Sequence, residues 1–373
     1  MGFKTLPTME LILLADKLPP KIGGMEIHAK YFAEHFSKDN ELIIISNRNG
    51  KDVVVNTKYQ TIKEIFLLDF LKPFENKKCI VFYNSGYWIE KFTEIKLFLK
   101  KAVFLYRTGG NEINKASLSL EIDSHSERQD YWVKTINRSI DILIANSQFT
   151  KQRLIQLGIQ NQIIHIIPGG INTANIQKAI DKISETRNLL NCNERDTLIV
   201  CCCRFVPYKR PGFLLKAFKH LPRQYKIVLV GDGELFENAK KMANEQNLNV
   251  QFLGRLTNEE TLNIIAAANV YCQASTDLIV NVKGGNYMHT EGMGRSLIES
   301  ICCGTRVVVT NCGAISEFIN YQNGTLVEGD EIEFAKQVEY TLSLPKIEES
   351  HKQSYCNEYS FENIFIQYEN FWN

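Results

Sequence analysis

The sequence has no long hydrophobic run and no large excess of charge of either sign. Its apolar runs are only strand-sized, whereas a membrane-spanning helix needs about 20 predominantly apolar residues. The first residues also lack the basic start, apolar core and small-residue cleavage site of a signal peptide. The formal net charge is +1, so charge gives no reason to expect a nucleic-acid partner. We therefore expect a cytoplasmic protein that binds no nucleic acid.

Metal-binding and disulfide patterns are missing as well. The ten cysteines include no Cys-x-x-Cys pair and no histidine at metal-ligand spacing. Most of them lie inside apolar runs, as do Cys201, Cys202, Cys203, Cys272, Cys302 and Cys303. This pattern is typical of buried thiols in a reducing compartment. We expect no bound metal.

The chain does have length and a repeated alternation of elements. Its 373 residues are more than one ordinary core holds, and about two domains are expected. Short apolar runs alternate with helical patterns in both halves, which predicts doubly wound α/β structure. The predicted strands are 9–14, 42–46, 79–83, 102–106, 140–145, 197–203, 226–230, 250–253 and 270–273. The predicted domains are 1–170 and 196–352, with a connection at 171–195.

In the first half, glycines and polar residues follow the strands. Gly23 and Gly24 open a helix after the first strand, where backbone amides can meet a phosphate; a plain turn is the alternative interpretation. Asn84 and Arg107 follow two later strands. Because ligands bind at the carboxyl ends of parallel strands, we expect an acceptor to meet these side chains.

A predicted helix at 90–101 has an amphipathic pattern. Phe92, Ile95, Phe98 and Leu99 share a face, with lysines around it. Residues 1–172 carry 23 basic and 18 acidic side chains. Two interpretations stay open: peripheral contact with an anionic membrane through this domain, or an ordinary surface helix.

The second half holds the denser set of candidate residues. Arg204 and Lys209 follow a buried strand, where a guanidinium and an ammonium can clamp two phosphates. The stretch 291–299 reads Glu-Gly-Met-Gly-Arg-Ser-Leu-Ile-Glu. Its glycines permit close backbone approach, and the helix predicted to start at Arg295 offers its positive end to an anion.

Six short motifs follow one another along the chain: Gly23-Gly24-Met25-Glu26, Pro168-Gly169-Gly170, Arg204 with Lys209, Gly231-Asp232-Gly233, Phe252-Leu253-Gly254-Arg255-Leu256 and the stretch 291–299. Their order resembles family 4 of the retaining glycosyltransferases, which have the GT-B fold. The resemblance covers nearly the whole chain and is densest over 198–330. It implies two Rossmann-like domains facing each other across a cleft, with the C-terminal helix at 353–373 packing back on the first domain.

The resemblance also implies roles for individual residues. Arg204 and Lys209 would bind the diphosphate of a nucleotide sugar, helped by amides at Gly23 and Gly24. Glu299 would hold the ribose, and Glu291 would grip the transferred sugar. The other residues implied to bind the donor are Asp232, Gly233, Arg255, Leu256, Met293, Gly294, Arg295 and Ser296.

The implied function is transfer of a hexose-type sugar from a nucleoside diphosphate sugar of the UDP or GDP type. The acceptor would be a glycan or a lipid-linked molecule of surface polysaccharide or glycoconjugate synthesis. The reaction would retain the anomeric configuration and need no metal and no cofactor. Two alternatives stay open: a nucleotide-sugar epimerase or phosphorylase on the same fold, and a non-catalytic partner subunit.

Three departures from the family pattern stand out. Cys203 and Arg210 replace the glycines that usually flank the clamp residues. A segment at 276–290 that is longer than in the family pattern precedes Glu291. Two interpretations stay open: an acceptor or lid loop, or a variable insertion. The family histidine after the fourth strand is absent, and we name His125 as a candidate substitute on the acceptor side.

Overall fold

The structure is a computed structural model that describes residues 10–16, 23–46, 58–61, 67–109 and 125–371. Its contacts divide the chain into two compact units. Residues 171–195, which we predicted to be a connection, fold as two helices that group with the second unit. Unit 1 comprises Met1–Gly169, Val280–Met288 and Ile364–Asn373, and unit 2 comprises Gly170–Ile279 and His289–Asn363.

Unit 1 is built on a seven-stranded sheet of order β3-β2-β1-β4-β5-β6-β7. All its strand pairs are parallel, and most of its strands are short, nearly continuous apolar runs, which are typical of parallel strands with both faces covered. The strands are β1 Glu10–Ala15, β2 Glu41–Ser46, β3 Lys58–Thr61, β4 Cys79–Tyr83, β5 Val103–Thr108, β6 Ile142–Ala145 and β7 Ile164–Ile166. The helices are α1 Gly24–Phe36, α2 Leu67–Leu71, α3 Phe92–Phe98, α4 His125–Ser139 and α5 Gln148–Gln156.

Unit 2 is built on a six-stranded sheet of order β10-β9-β8-β11-β14-β15. Its strand pairs are parallel too. The strands are β8 Leu198–Cys202, β9 Lys226–Val230, β10 Val250–Gly254, β11 Val270–Gln273, β14 Arg306–Thr310 and β15 Gly324–Val327. The helices are α6 Thr173–Asp181, α7 Ile183–Leu189, α8 Pro211–Phe218, α9 Phe236–Glu245, α10 Asn258–Ala267, α11 Arg295–Cys302, α12 Glu331–Ser343, α13 Glu349–Tyr359 and α14 Phe361–Glu369, whose last turns belong to unit 1.

Each sheet has one point where its strand order reverses. In unit 1 this point lies between β1 and β4, and in unit 2 it lies between β8 and β11. Loops leave the carboxyl ends of the two strands in opposite directions there, and in open α/β sheets the resulting crevice is where ligands bind. This topology is that of Rossmann-like domains.

The α/β class and the predicted strands are confirmed, with ends that differ by up to about two residues. The single C-terminal helix predicted at 353–373 is instead two helices, α13 and α14, separated at Ser360. The second returns to unit 1, where the Tyr368 ring lies 5.9 Å from that of Phe32 and 5.7 Å from that of Phe82. The segment 276–290 is not a plain loop: it forms a hairpin of β12 Leu278–Val282 and β13 Gly285–His289.

The helix predicted at 90–101 is wrong in extent. A 3-10 turn at Gly86–Lys91 precedes the short helix α3, which ends at Phe98. Two of its lysines form ion pairs, Lys91 with Glu94 at 2.8 Å and Lys96 with Asp141 at 2.5 Å. No helix in the described ranges is both long and apolar enough to cross a membrane.

Candidate active site

The loop after β8 carries the two cations that the sequence predicted as a phosphate clamp. A 3-10 turn at Pro207–Lys209 folds the chain back towards the sheet. The Arg204 side chain is exposed, and its guanidinium donates to the Tyr208 hydroxyl at 3.1 Å. The Tyr208 ring is buried and stacks on His289 with centroids 5.3 Å apart. Arg204 is thereby positioned by an aromatic side chain while its charge stays accessible.

Lys209 forms a buried ion pair with Glu291. Their side chains are 12% and 10% exposed, respectively. The same Glu291 oxygen, Oε1, also accepts from the Ser275 hydroxyl at 2.7 Å and from the Gln273 amide at 3.2 Å. A buried carboxylate needs such partners because its desolvation is costly. The structure therefore brings together two predicted site residues that lie 82 positions apart.

The electrostatics keep both members of this pair charged. Burial alone would raise the pKa of Glu291, but the Lys209 ammonium, its hydrogen bond and that of Ser275 outweigh burial and lower the pKa. Burial likewise opposes the charge on Lys209, and Glu291 outweighs it, so the pKa of Lys209 is raised. An ionised Glu291 is a pure hydrogen-bond acceptor. It suits a ligand that presents hydroxyl groups.

The backbone of Glu291 is fixed by a loop that sequence reasoning missed. Gly313 has a φ of +55°, and a Cβ at this position would lie 2.2 Å from the Glu291 carbonyl oxygen. The next residue, Ala314, donates its N–H to that same oxygen at 2.8 Å. Only glycine fits such an approach. The loop's only signal in the sequence is a single glycine shortly after β14, outside any motif.

Helix α11 begins beside Glu291. Its N-cap, Gly294, has a φ of +78°, a left-handed conformation that favours glycine. Ser296 in the first turn shares a 2.9 Å hydrogen bond with the hydroxyl of Tyr271, which also donates to the Cys202 carbonyl at 2.9 Å. Met293 is buried. The helix N-terminus is thus tied to both central strands of the unit 2 sheet.

Glu299 lies one turn into the same helix and differs from Glu291 in its surroundings. Only 7% of the residue is exposed, and its Oε1 lies 3.3 Å from the Arg295 Nε. Burial raises its pKa, although Arg295 and a hydrogen bond from Asn258 oppose the shift. The two glutamates that the sequence singled out are therefore unequal: Glu291 is held as an anion more firmly than Glu299.

The glycine loop after β9 is packed directly on the clamp loop. A Cβ on Gly231 would lie 1.8 Å from the Cys203 carbonyl oxygen, and one on Gly233 would lie 2.5 Å from that of Phe205. The carboxylate of Asp232 accepts from the N–H of Gly233 at 2.7 Å. After β10, Arg255 is exposed and Leu256 is partly buried. Their predicted contacts with a base remain predictions.

Arg210 occupies the backbone position where the family pattern has glycine. Its φ is +46°, in the left-handed region that costs a non-glycine residue conformational energy. The side chain compensates: its Nε donates to the Ala274 carbonyl at 2.7 Å, and its guanidinium lies 4.3 Å from the Phe213 ring centroid. The departure is thus accommodated without moving Lys209 out of its ion pair.

In unit 1, the predicted acceptor residue Arg107 is bonded inside the fold. It is 4% exposed, and its Nη1 donates to the Ile167 carbonyl at 3.0 Å and to the Tyr368 hydroxyl at 2.9 Å. Tyr368 is also 3.2 Å from Nε2 of His28. The sequence offered no signal for this contact, because Tyr368 lies 261 positions from Arg107.

Asn84, another buried acceptor-side candidate, completes this network. Its amide nitrogen donates to the Met25 carbonyl at 2.7 Å, so its oxygen faces His28 Nδ1 at 2.7 Å and accepts from it. His28 Nδ1 therefore carries the proton, and Nε2 accepts from Tyr368. Burial, with help from Arg107, keeps the pKa of His28 well below its ordinary value and the ring neutral.

The predicted phosphate site at Gly23 and Gly24 lies at the start of α1. Gly23 is the N-cap and has no side chain to bond the first-turn amides. A Cβ on Gly23 would lie 2.2 Å from a carboxylate oxygen of Glu26. The Met25 carbonyl that Asn84 bonds belongs to the same first turn. A role in donor binding remains a prediction.

His125 opens helix α4 under the hairpin turn. Its N–H donates to the Lys283 carbonyl at 3.1 Å, and the N–H of Ser126 donates to the Gly284 carbonyl at 3.3 Å. The turn thus satisfies two of the amides that a helix start leaves unpaired. The His125 side chain is buried, and its Nε2 has no hydrogen-bond partner among the described residues. Burial lowers its pKa. Its acceptor role stays a prediction.

A cavity of about 790 Å³ opens at the other end of the unit 2 sheet, beside Arg187 and Arg306. It lies at the amino ends of the strands, away from the crevice where such folds bind ligands. The buried Arg187 guanidinium is already bonded to the carbonyls of Ala267, Asn193 and Asp196. We therefore place the functional site at the carboxyl ends. Across the described ranges, His, Cys, Asp and Glu form no group of three or more that could hold a metal ion.

Two family models match the sequence. The family described as "Glycosyl transferases group 1" matches residues 182–360, and "Glycosyltransferase Family 4" matches residues 120–175. The chain is 22% identical to a GDP-mannose-dependent monoacylated alpha-(1-6)-phosphatidylinositol monomannoside mannosyltransferase of Corynebacterium glutamicum, over 86% of this chain and 85% of the relative. It is 25% identical to an uncharacterized glycosyltransferase of Methanocaldococcus jannaschii, over 88% of each.

Solved structures show the same fold. The Anabaena protein HepE in complex with UDP superposes with a TM-score of 0.76 at 17% identity, covering 97% of this chain and 99% of that one. A sucrose-phosphate synthase of Thermosynechococcus elongatus superposes with a TM-score of 0.74 at 19% identity, covering 98% of each.

Proposed function

Since the chain belongs to the family 4 type of glycosyltransferases, with the GT-B fold, we propose that it transfers a hexose-type sugar from a nucleoside diphosphate sugar to a glycan or lipid-linked acceptor. The transfer retains the anomeric configuration and needs no metal. The observation that carries this proposal is the cluster of Arg204, Lys209 and Glu291 at the carboxyl ends of β8 and β11, where the strand order of unit 2 reverses.

The cations of this cluster suit the charge that develops in the reaction. Departure of a nucleoside diphosphate builds negative charge on its phosphate oxygens. Preorganised cations stabilise such charge without reorganising at the moment of reaction. Arg204 is exposed and positioned by Tyr208, and Lys209 is held by Glu291. In our proposal these two side chains take the place of a divalent metal beside the diphosphate.

The two glutamates contact different parts of the rest of the donor. Glu291 remains ionised beside Lys209 and accepts hydrogen bonds from hydroxyls of the transferred sugar. It also stabilises the positive character that the sugar gains as the glycosidic bond breaks. Glu299, inside α11, accepts from the ribose hydroxyls, an interaction that hardly changes during the reaction. The amides at Met293 and Gly294 help to align the sugar for attack from the face that the diphosphate leaves.

The relatives suggest which donors and acceptors to test. The Corynebacterium relative is named for GDP-mannose and a phosphatidylinositol mannoside, and HepE is solved with UDP. We therefore propose a donor of the UDP or GDP type. A lipid-linked acceptor would bring the protein to a membrane surface, and peripheral contact through unit 1 is part of this proposal.

A thermal-shift panel with UDP, GDP, ADP and CMP identifies the nucleotide. A ligand at 100 times its dissociation constant should add about 2.7 kcal/mol to the free energy of unfolding. The sugar conjugates of the nucleotide that binds are then incubated with lipid-linked and soluble glycan acceptors. We expect nucleoside diphosphate to be released only when an acceptor is present, and NMR to show a product with the anomeric configuration of the donor.

Three outcomes would contradict the proposal. Rapid nucleoside diphosphate release without an acceptor would indicate an epimerase or a phosphorylase. Absence of a shift with all four nucleotides would indicate a non-catalytic subunit. Loss of transfer when a chelator is added, with recovery on adding Mg²⁺, would contradict the metal-free assignment.

A further inference from the structure

We propose that Cys201 and Cys203 are a thiol pair that a hydroperoxide oxidises to a disulfide, and that this disulfide weakens nucleoside diphosphate binding in unit 2. The two Sγ atoms are 3.8 Å apart. The pair stands immediately before Arg204, where the family pattern that this chain resembles has glycine in place of Cys203. The effect on binding rests on the proposed function, whereas the oxidation itself does not.

Cys201 lies in β8 and Cys203 directly follows its last residue, so the extended chain places the two sulfurs on one side. Side chains of an extended chain alternate between faces, so Cys201 and Cys203 point the same way and Cys202 points to the other face. Residues two apart in a strand have Cα atoms separated by about 6.4 to 6.8 Å. This is the upper end of the range that a disulfide spans, about 4.4 to 6.8 Å. Closing the bond therefore requires Cys203 to move towards Cys201.

The two thiols differ in reactivity. Cys203 is partly exposed and Cys201 is buried. The hydrogen bond from Cys201 lowers the pKa of Cys203, burial opposes this shift, and the Lys209 ammonium adds to it. The same hydrogen bond and burial raise the pKa of Cys201. Because the thiolate is the nucleophile, Cys203 is the thiol that reacts first and Cys201 the one that resolves.

The chemistry balances with a hydroperoxide as the oxidant. The Cys203 thiolate attacks the terminal peroxide oxygen, the O–O bond breaks, and the alkoxide leaves as an alcohol, or as water from hydrogen peroxide, after taking up a proton. Cys203 is then a sulfenic acid. The Cys201 sulfur attacks it, the S–S bond forms and water leaves with the Cys201 proton. In total, two thiols lose two hydrogens and one peroxide is reduced.

The backbone transmits this movement to the ligand-binding loops. The Cys203 N–H donates to the Val230 carbonyl at 3.0 Å, and its carbonyl oxygen leaves no room for a Cβ on Gly231. Two residues on, the Phe205 N–H donates to the Asp232 carbonyl at 3.0 Å. The loop that holds Arg204 is therefore in close contact with the glycine loop 231–233, which leaves no space for Cys203 to move independently. Drawing Cys203 towards the strand displaces Arg204 from its bond to Tyr208.

The oxidation is tested by peptide mapping of the full chain. Trypsin cleaves after Arg195 and Arg204 and releases residues 196–204, which contain three cysteines. The protein is treated with hydrogen peroxide, denatured, alkylated and digested without reduction. We expect one alkyl group, on Cys202, where the reduced protein carries three. A peptide that still carries three alkyl groups after peroxide treatment overturns the proposal.

The effect on binding is measured on the same samples. We expect oxidised protein to lose the rise in Tm that the nucleotide from the panel causes, and dithiothreitol to restore it. Cys203→Ala should keep that rise after peroxide treatment. Cys356→Ala is the matched control, because its thiol also lies near another cysteine, 3.7 Å from the Cys302 carbonyl oxygen, but belongs to a different part of unit 2; it should respond to peroxide as the unaltered chain does.

The outcomes separate this inference from the proposed function. If the disulfide forms and the rise in Tm is unchanged, the coupling to the site is wrong while the proposed function stands. If the disulfide forms and no nucleotide raises Tm even in reduced protein, the thiol pair is supported and the proposed function fails. Loss of the rise in Cys203→Ala as well as in the unaltered chain would show damage at another residue and overturn the inference.

Discussion

Each of the two sheets carries a buried polar network near the point where its strand order reverses. The two networks differ in the group that accepts the last hydrogen bond. In unit 1, donors run in one direction from Arg107 through Tyr368, His28 and Asn84 to the Met25 carbonyl. Its last partner is a backbone oxygen of the chain itself. In unit 2, Lys209, Ser275 and Gln273 all donate to one oxygen of Glu291, and the exposed Arg204 stands beside them.

We interpret the unit 1 network as structural and the unit 2 cluster as a ligand-binding site. The C-terminal helix inserts the Tyr368 hydroxyl into the unit 1 network, so Arg107 is buried and its charge is held by the protein's own oxygens. In unit 2, by contrast, the Arg204 side chain is exposed among the residues that the structure describes. Buried, fully bonded networks rigidify a fold, whereas an accessible cation at a strand end can bind an anion. The predictions below test this contrast.

The largest effect is expected from Lys209→Ala. It removes a cation beside the proposed diphosphate and leaves Glu291 buried without its ion-pair partner. We expect kcat to fall by about 100 to 1000-fold, the typical cost of losing one preorganised electrostatic donor. The measurement is steady-state kinetics with the identified donor. Lys216→Ala is the control, since this lysine is 58% exposed and 3.5 Å from Glu331; equal losses in both variants would contradict the role of Lys209.

The next comparison separates the glutamates of unit 2. Glu291→Gln keeps the shape of the side chain and removes its charge beside the transferred sugar. It should lower kcat, by an amount that corresponds to a loss of about 2 to 4 kcal/mol of transition-state stabilisation. Glu299→Gln should mainly raise the donor KM, because binding of the ribose changes little during the reaction. Kinetics and nucleoside diphosphate titrations of both variants check this. If Glu291→Gln weakened nucleotide binding as much as Glu299→Gln and left kcat intact, the division of roles would be wrong.

In unit 1, Tyr368→Phe should reduce stability rather than catalytic rate. Removing the hydroxyl leaves His28 Nε2 without its donor and Arg107 without one acceptor. The cost of an unsatisfied buried polar group is about 1 to 3 kcal/mol. Tryptophan fluorescence during urea unfolding reports on this unit, because Trp88 and Trp132 are buried there and the sequence of unit 2 contains no tryptophan.

A matched control for that variant is Tyr321→Phe, since Tyr321 is 84% exposed. It should leave the urea midpoint unchanged. A Tyr368→Phe protein with unaltered stability would show that the unit 1 network contributes nothing and would remove the contrast with unit 2.

The smallest expected effect is a pH dependence of the stability of unit 1. The pKa of folded His28 is held well below its ordinary 6.5, so the unfolded chain binds a proton more readily than the folded one. The stability that this histidine contributes is therefore fully present above pH 6.5 and is lost as the pH falls towards the folded-state pKa. Urea unfolding followed by tryptophan fluorescence at about pH 7.5 and about pH 5.5 measures it. His28→Gln should reduce the difference in stability between the two pH values. His220→Gln is the control, because His220 is exposed, and it should leave that difference unchanged.

Much of the fold could be predicted from local pattern. Short apolar runs flanked by polar and glycine residues identified β4, β9 and β11 with their observed ends. The pattern was weaker for β7 and for β12 with β13, because these strands are short and only partly buried. The helix predicted at 90–101 was too long at both ends, because residues 90–91 belong to the 3-10 turn Gly86–Lys91 and α3 already ends at Phe98.

The candidate site divides in the same way. Arg204, Lys209, Glu291 and Glu299 were identified from their order along the chain, but their partners were not. Gln273 ends β11 and Ser275 follows it, and neither belongs to a motif. Gly313, a single glycine after β14, belongs to none either. Asn84 and Arg107 were placed at strand ends correctly, yet nothing local indicated that the Tyr368 hydroxyl reaches Arg107.

The sequence by itself determined the α/β class, the two series of strands and the residue types available at each strand end, because hydrophobic periodicity and glycine preference act over a few residues. Only the tertiary structure decided which of those residues became paired. Lys209 meets Glu291 across 82 positions and Arg107 meets Tyr368 across 261. Such contacts depend on the order in which strands pack, and on whether a distant segment returns to satisfy a buried charge, which no local pattern encodes.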